Sequence, residues 1–319
     1  MIKVEHLSKH FDAVKAVDDI WFEVKERENL ILLGTSGCGK TTTLKMLNRL
    51  IEPTSGSIQI NGKDVLTQSP EELRRGIGYA LQNNGLFPHY TIAENIAIVP
   101  QLLKWDSKRI EKRIVELLEK LHLSADQLKL YPNELSGGQQ QRVGLARALM
   151  ADPPILLMDE PFGALDNITR SKIQAEFKEL DELKRKTIIM VTHDVQEAFE
   201  LGDRICLMDK GKIVQIGTPA ELLFKPANEF VKDFLKEQRL QLEFKAVKIK
   251  DLWSWLPVAK ENTAGYSLSI DADVWASMKS FGEGQSAHMN ITHEHETKSV
   301  GFEQLMYAFY QYQSNRSHE

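Results

Sequence analysis

A glycine-rich segment near the N-terminus constrains the fold of this chain more than any other feature. It matches the pattern G-x-x-x-x-G-K-[ST], between an apolar strand at residues 29–33 and a predicted helix at 41–50. The glycines let backbone N–H groups close around phosphate oxygens, at the positive end of the helix. Lys40 would reach the β- and γ-phosphates of a nucleotide, and the Thr41 hydroxyl would ligate Mg²⁺. A simple glycine turn between strand and helix is the alternative. The segment consists of Gly34, Thr35, Ser36, Gly37, Cys38, Gly39, Lys40 and Thr41.

Length and local patterns predict an α/β domain followed by a smaller module. The 319 residues favour two domains at about 150 residues each. Strands and helices alternate over residues 1–239, as in an α/β fold with a largely parallel sheet. Continuous apolar runs at 155–158 and 187–191 are typical of buried parallel strands. Helical spacing is seen at 107–121, and a strand at 56–60 ends in an Asn-Gly turn.

Composition changes near residue 236, so we predict a domain boundary between residues 239 and 240. The following part alternates as a strand at 266–270, and Asp271 is a candidate N-cap for a helix. Two short strands at 287–292 and 297–301 and a terminal helix complete a strand–helix–strand–strand–helix order. The apolar residues expected to form a small core there are Trp275, Met278, Phe281, Leu305 and Phe309.

Composition also argues against several classes of protein. The formal net charge is −5 at pH 7, so no basic excess indicates nucleic acid as a partner. The longest apolar runs are too short to cross a bilayer, and the N-terminal residues do not resemble a secretory signal. The only two cysteines, Cys38 and Cys206, make no disulfide framework, which favours a reducing cytosol.

A second glycine-containing segment predicts another anion site. Ser136 is a good N-cap for a helix with apolar residues at 143, 145, 146 and 149, and the adjacent glycines leave the helix's positive end uncovered. A capped helix after a glycine turn is the alternative for this segment alone. The segment consists of Leu135, Ser136, Gly137, Gly138 and Gln139.

The apolar strand at 155–158 ends in two carboxylates, Asp159 and Glu160. One carboxylate directed at Mg²⁺ and one base directed at water would suit phosphoryl transfer, whereas a solvated acidic turn is the alternative. Asp166 follows shortly, and His193 comes directly after the next apolar strand. A lone histidine in that position is more often structural, but here it follows the other motifs in order.

Residues 1–235 resemble the ATPase subunits of ABC transporters, because these motifs occur in the order found in that family. Gln82 matches the Q-loop glutamine, and Phe11 lies where an aromatic ring stacks on adenine. Asp166 matches the D-loop and His193 the switch histidine. The resemblance implies a RecA-like core, a helical subdomain at about 84–150 and an antiparallel β subdomain, with an α+β module after residue 239.

The resemblance also implies a homodimer in which two ATP molecules each lie between one chain's phosphate loop and the other's signature at 135–139. Glu160 would be the general base or would orient water, and His193 would contact the γ-phosphate. Asp166 would act across the interface. The implied ATP-binding residues are Phe11, Gly34, Thr35, Ser36, Gly37, Cys38, Gly39, Lys40, Thr41, Thr42, Gln82, Leu135, Ser136, Gly137, Gly138, Gln139 and Asp166. The implied catalytic residues are Glu160, His193 and Gln82, and the implied Mg²⁺ ligands are Thr41, Gln82 and Asp159.

Finer matches at 85–89, 91–97, 99–105 and 162–170 resemble importers of quaternary-ammonium osmoprotectants such as glycine betaine, carnitine and choline. Asn167 stands where proline is usual in the family. The resemblance implies docking on separate membrane permease subunits, fed by a substrate-binding protein, at the cytoplasmic face of the membrane. An importer of another solute, such as an amino acid or polyamine, and a soluble regulatory ATPase are the alternatives.

The order of elements after residue 240 resembles a single repeat of the cystathionine-β-synthase type. The segment 300–304 lacks the Thr and Asp by which such repeats hold a ribose, so a structural or dimerising role is favoured over a nucleotide sensor. His288, His293 and His295 are candidate metal ligands, but polar strand residues are the favoured interpretation, because no zinc-type ligand set accompanies them.

Overall fold

The computed structural model describes residues 2–82, 85–163, 165–257, 266–283, 287–294 and 296–316. The chain divides into two compact units, Met1–Ile216 and Gly217–Glu319. None of the helices in these described ranges combines the length and apolarity needed to cross a bilayer.

The first unit contains ten strands and seven α-helices among its described residues. The strands are β1 (Ile2–Phe11), β2 (Val14–Val24), β3 (Asn29–Gly34), β4 (Ser55–Ile60), β5 (Lys63–Asp64), β6 (Ile77–Ala80), β7 (Ile155–Asp159), β8 (Thr187–Thr192), β9 (Arg204–Asp209) and β10 (Lys212–Gly217). The helices are α1 (Lys40–Leu47), α2 (Pro70–Arg75), α3 (Ile92–Leu102), α4 (Ser107–Lys120), α5 (Gly137–Leu149), α6 (Asn167–Glu179) and α7 (Val195–Leu201).

A six-stranded sheet in the order β10-β9-β3-β8-β7-β6 forms the centre of this unit. β3 runs parallel to β8 and β9, and β6, β7 and β8 are also parallel to their neighbours, as the apolar runs predict. Every residue of β7 and β8 is buried. Because parallel strands end at the same edge, the residues that follow β3, β6, β7 and β8 lie together there.

A second sheet of four strands, in the order β2-β1-β4-β5, is antiparallel. Asn61 and Gly62 connect β4 to β5 with φ angles of 51° and 76°. Positive φ at both central residues is the type I′ geometry expected of an Asn-Gly hairpin, which confirms the predicted turn.

The helices α3, α4 and α5 fall within the helical region predicted at about 84–150. α4 begins at an Asp106 N-cap and buries one face through Ile110, Ile114, Leu117 and Leu118. Burial of each such side chain contributes about 1.5–3 kcal/mol relative to exposure. The helix predicted over 107–121 is therefore confirmed to within a residue, and the helix predicted over 41–50 ends earlier, at Leu47.

The second unit contains α8 (Pro219–Phe224), α9 (Glu229–Leu235), α10 (Arg239–Ala246), α11 (Ile249–Leu252), β11 (Tyr266–Leu268), α12 (Val274–Gly282), β12 (His288–His293), β13 (Glu296–Gly301) and α13 (Phe302–Arg316). From β11 onward, these elements confirm the predicted strand–helix–strand–strand–helix order. The strands form one sheet in which β11 and β12 are parallel and β12 and β13 antiparallel.

Two details predicted for this unit are wrong. The N-cap of α12 is Asp273, which accepts a hydrogen bond from the N–H of Ala276, because it directly precedes the first helical residue. Asp271 instead forms an ion pair with Lys250 at 2.8 Å. Trp275, expected in the core, is 39% exposed, whereas Leu305 and Phe309 are buried as expected.

The division between the units at residues 216 and 217 precedes the predicted boundary at 239 and 240. The buried apolar cluster of the second unit runs from Phe244 to Tyr312 and so begins after residue 239. Phe224 on α8 packs against this cluster, which joins the helices after Gly217 to the second unit. The boundary at 239 and 240 stays a prediction.

Candidate nucleotide-binding and hydrolysis site

The loop between β3 and α1 has the backbone that a phosphate-binding loop requires. Gly34 and Gly39 have φ angles of 150° and 105°, a region that residues with a Cβ rarely adopt. A Cβ on Gly34 would lie 2.1 Å from the carbonyl oxygen of Met208, and one on Gly39 would lie 2.4 Å from that of Ala16. Both glycines are therefore needed for the loop to close against its neighbours.

The Lys40 side chain is buried within this loop. Its ammonium donates 2.8 Å hydrogen bonds to the carbonyl oxygens of Gly34 and Thr35 and lies 3.7 Å from the Sγ of Cys38. The cation carried by the first residue of α1 is thus fixed at the centre of the glycine loop. This geometry favours binding of an anionic group such as phosphate.

Thr41 and Asp159 lie together at the carboxyl edge of the sheet. The Thr41 hydroxyl donates a 2.8 Å hydrogen bond to Asp159 Oδ1. Asp159 is buried, and this burial raises the pKa of its carboxyl, an effect opposed by the bond from Thr41. A hydroxyl and a carboxylate are oxygen donors that suit Mg²⁺, and a cation there would favour the ionised carboxylate. These two predicted ligands therefore fit Mg²⁺.

Glu160 is the point at which three predicted catalytic residues meet. Its Oε2 accepts a 3.3 Å hydrogen bond from Gln82 Nε2 and lies 3.2 Å from His193 Nδ1. The backbone of Glu160 has φ of 46°, and its N–H donates to the carbonyl oxygen of Val191. This left-handed conformation is uncommon for a residue other than glycine, and such strain is concentrated at functional sites.

In the structure the amide nitrogen of Gln82 donates to Glu160, and the role of Gln82 as a Mg²⁺ ligand stays a prediction. The side chains of Gln82, Glu160 and His193 come from loops after three neighbouring strands. Only tertiary structure brings them together, since 78 residues separate Gln82 from Glu160.

The segment at 135–139 forms a capped helix start. Ser136 is the N-cap of α5: its hydroxyl accepts from the N–H of Gln139, while Gln139 Oε1 accepts from the N–H of Ser136 at 2.8 Å. A Cβ on Gly138 would lie 3.0 Å from Thr169 Cγ2 on α6. The predicted cap is confirmed, and the role of this segment toward ATP stays a prediction.

Asp166 and Phe11 occupy exposed positions. Asp166 caps α6 by accepting from the N–H groups of Ile168 and Thr169, and the bonds from Thr169 hold the pKa of its carboxyl below the usual value. Phe11 ends β1, is 45% exposed, and has the Lys9 ammonium 5.1 Å from its ring centroid. Ala164 lies outside the described residues.

Sequence reasoning missed a buried network behind His193. Glu197 on α7 is 4% exposed, and its Oε2 accepts a 2.7 Å hydrogen bond from the Thr192 hydroxyl. Burial raises the pKa of Glu197 to about 7. Asp194 caps α7 three residues before Glu197, and this N-cap spacing is the sequence signal that would have drawn attention to them.

The histidines of the second unit do not form a metal centre among the residues described. In those ranges, no group of three or more His, Cys, Asp or Glu side chains is placed to hold a metal ion. His288 and His293 are exposed on β12, and His293 packs edge-on to Trp253 with ring centroids 5.4 Å apart. His295 lies outside the described residues.

The fold and the site define a P-loop nucleotide-binding protein. The family model described as "ABC transporter" matches residues 17–163. The glycine betaine/carnitine/choline transport ATP-binding protein of Bacillus subtilis (strain 168) is 54% identical over 241 residues, 75% of this chain and 63% of that protein. A glycine betaine uptake system ATP-binding protein of Escherichia coli (strain K12) is 51% identical over 240 residues. This match covers 75% of this chain and 78% of the Escherichia coli protein. The chain therefore belongs to the ABC transporter ATP-binding proteins.

A solved structure supports the same assignment. A dimeric ATP-binding cassette in a post-hydrolysis state, bound to ADP and Pi, is 33% identical, with a TM-score of 0.61. The match covers 68% of this chain and 98% of the chain in that structure. The predicted resemblance and fold class are confirmed. The match to the Bacillus relative spans less than two thirds of that relative's length.

Proposed function

We propose that this chain binds and hydrolyses ATP as the energy-supplying subunit of an ABC importer. The observation that carries this proposal is the contact of Gln82 and His193 with Glu160, beside the Thr41–Asp159 pair and the phosphate loop. Phosphoryl transfer needs positioning and charge neutralisation rather than covalent chemistry, and this site supplies both.

Each side chain of the site is proposed to have a separate role in hydrolysis. The Lys40 ammonium would exchange the carbonyl oxygens of Gly34 and Thr35 for phosphate oxygens. Glu160 would accept a proton from the attacking water or orient that water, with Gln82 and His193 fixing its carboxylate. Thr41 and Asp159 would hold Mg²⁺, which would supply charge neutralisation at the phosphates.

The functional form is proposed to be a homodimer with two composite ATP sites. The chain has two segments suited to anions, the loop at 34–41 and the capped α5 N-terminus at 135–139. Each would complete the site of the other chain, so that one ATP lies between the loop of one protomer and the signature of its partner. The dimeric state of the ADP-bound relative supports this arrangement.

We further propose that the importer takes up quaternary-ammonium osmoprotectants through separate permease subunits at the cytoplasmic face of the membrane. The substrates in the names of the two relatives support this class of solute. We propose that the segment 85–89 and the adjoining Tyr90 dock the permease, because Phe87 and Tyr90 are exposed there, with ring centroids 5.6 Å apart. Buried Asn95 holds this segment, since it bonds the N–H and carbonyl of Phe87 and the carbonyl of Tyr90.

The second unit is proposed to be a structural or dimerising module rather than a nucleotide sensor. Its order of elements supports a degenerate repeat of the cystathionine-β-synthase type, and the described residues of the unit form a buried apolar cluster of their own.

The test of the proposal combines hydrolysis with uptake. The purified chain is expected to release phosphate from ATP in the presence of Mg²⁺, and cells with the intact chain to accumulate labelled glycine betaine, carnitine or choline. Glu160→Gln should abolish both, whereas Glu26→Gln, at an exposed site, should change neither. Hydrolysis without uptake of these solutes, or with uptake of an amino acid or polyamine, would contradict the proposed substrate class. Absence of ATP hydrolysis would contradict the proposal as a whole.

A further inference from the structure

One arginine joins the loop that carries His193 to the loop that carries Asp166. Arg170 lies on α6, and its Nη1 is 3.3 Å from Oδ2 of Asp194, the residue directly after His193. Its Nη2 donates a 2.9 Å hydrogen bond to the carbonyl oxygen of Leu165, directly before Asp166. A single guanidinium therefore contacts two loops that follow different strands.

The Asp194 carboxylate has a separate contact on each oxygen. Oδ1 accepts a 3.2 Å hydrogen bond from the N–H of Glu197 and so caps α7, while Oδ2 faces Arg170. The N–H of Asp194 donates to the Thr192 hydroxyl oxygen over 3.0 Å, and this hydroxyl donates to Glu197 Oε2. The position of Asp194 is therefore fixed by α7, and Arg170 connects this fixed point to the Leu165 carbonyl.

The hydrogen bonds of this network do not use all of its buried polar atoms. Arg170 Nε and Glu197 Oε1 are buried and make no hydrogen bond within the described part of the chain. Buried polar atoms without partners are unfavourable, and native proteins retain few of them. An ion pair that served only stability would be expected to use these atoms. The guanidinium instead spans the two loops, which indicates a role in positioning them.

We propose that Arg170 is a positioning residue for ATP hydrolysis, because it sets the His193 loop relative to the Asp166 loop. This inference rests on the proposed function. His193 lies against Glu160, and Asp166 belongs to the loop that would act across the dimer interface. Arg170 thereby connects the hydrolytic carboxylate of one site to the interface of the dimer. The effect of its loss is expected in kcat rather than in the KM for ATP.

The chain offers variants that separate positioning from stability. Arg170→Met removes both contacts at similar length. Asp194→Asn keeps an oxygen that can cap α7 but removes the charge opposite Arg170. Arg170→Lys keeps the charge but lacks the planar fork needed to reach both partners. The matched control is Arg204→Met, because Arg204 Nη1 also contacts one carboxylate, Glu28 at 3.1 Å, and one carbonyl oxygen, Glu23 at 3.2 Å.

The experiment measures kcat and KM for ATP in the full-length chain, with circular dichroism to establish folding. Arg170→Met and Asp194→Asn should each lower kcat by about tenfold or more, with KM changed by less than about threefold. The double variant should be no slower than the slower single variant, since the pair acts as a unit. Arg170→Lys should give an intermediate rate, and Arg204→Met should stay within about twofold of wild type.

Three results would overturn the inference. They are an unchanged kcat in Arg170→Met, a rise in KM alone, or an equal loss of kcat in Arg204→Met. If Arg170→Met does not fold, Asp194→Asn decides the question by the same criteria. A wild-type chain that hydrolyses no ATP would remove the proposed function and this inference together, whereas a wild-type rate that Arg170→Met leaves intact removes this inference alone.

Discussion

The Thr41 hydroxyl donates a 2.8 Å hydrogen bond to Asp159 Oδ1, although 118 residues separate the two in the chain. This bond joins the first turn of α1 to the end of β7. It places a hydroxyl and a carboxylate where the phosphate loop meets the carboxyl edge of the sheet. Because β7 continues directly into Glu160, the same contact fixes the distance between the phosphate loop and the proposed base.

Replacement of that base is the first test of the site. Glu160→Gln is expected to bind ATP and to hydrolyse it at least about a hundredfold more slowly, because an amide cannot accept the proton from water. The amide keeps a polar group toward Gln82 and His193, so the fold should not change. Phosphate release measures the rate, and gel filtration with ATP should show an accumulated dimer. Hydrolysis near the wild-type rate would mean that Glu160 is not the base.

Replacement of Lys40 in the phosphate loop should impair ATP binding, whereas replacement of Glu160 should impair hydrolysis. Lys40→Ala should weaken ATP binding by about tenfold or more, since a charge-assisted hydrogen bond to phosphate contributes about 1.5–3 kcal/mol. A binding titration with ATP measures this loss. Lys63→Ala removes an exposed lysine on β5 and serves as the control. Equal ATP affinities for wild type and Lys40→Ala would refute the assignment of the loop.

The local motifs could be predicted from sequence because their geometry is set by neighbouring residues. The loop at 34–41 needs its glycines for backbone reasons alone, and the Ser136 cap depends on a residue three positions later. The buried apolar runs also predicted that β7 and β8 are parallel, although they do not specify the order of the strands in the sheet. The same reasoning placed Asp159 and Glu160 at a strand end.

Other features depended on tertiary contacts that no local pattern contains. Residue type alone predicted Asp271 as a cap, but α12 begins at Val274, so Asp273 is the N-cap and Asp271 pairs with Lys250. The helical spacing of Trp275 did not show that one side of α12 is open to solvent. The link from Arg170 to Asp194 spans 24 residues and joins two helices, so only the folded structure shows it.

The proposed composite sites predict that two impaired variants restore each other when ATP is too dilute to saturate Lys40→Ala. Lys40→Ala and Ser136→Arg homodimers each carry a lesion in both sites. In a mixed dimer both lesions fall in one site, and the other site is intact. An equimolar mixture should therefore recover about a quarter of the wild-type rate, because half of the dimers are mixed and each has one intact site.

Phosphate release from the mixture, compared with each variant alone, measures this recovery. Mixing either variant with itself at doubled concentration is the control. No recovery, together with a wild-type specific activity that does not depend on protein concentration, would exclude the composite site for this chain.

Removal of the module after residue 239 should leave ATP chemistry intact. The residues assigned to the site end at His193, and the buried cluster of the second unit begins at Phe244. A chain ending at residue 239 is therefore expected to hydrolyse ATP at a rate within about twofold of the full chain. Light scattering without ATP should show weaker dimerisation, because a core of this size gains by pairing with a second copy.

Identical dimerisation of the full and shortened chains would contradict the role given to the module. Loss of ATP binding on truncation would contradict the boundary at 239 and 240. A second chain ending at Ile216, where the compact units divide, shows which boundary leaves the first unit folded.

The buried carboxyl of Glu197 predicts a pH dependence of stability. Its pKa is raised from 4.5 to about 7, chiefly by burial. Between these two values the folded chain holds a proton that the unfolded chain has released, so the free energy of unfolding falls as pH rises through this window. The group's favourable contribution is complete below about pH 4.5 and lost above about pH 7.

Glu197→Gln carries no titrating group at this position, and its amide oxygen can still accept from Thr192. The free energy of unfolding of the variant should exceed that of wild type by less than about 1 kcal/mol at pH 5 and by about 3 kcal/mol at pH 8. Denaturant unfolding followed by circular dichroism at the two pH values measures the difference. Glu26→Gln, at an exposed position, should show no such change between them. A stability difference for Glu197→Gln that is the same at both pH values would show that Glu197 is ionised throughout and that its burial is compensated by other charges.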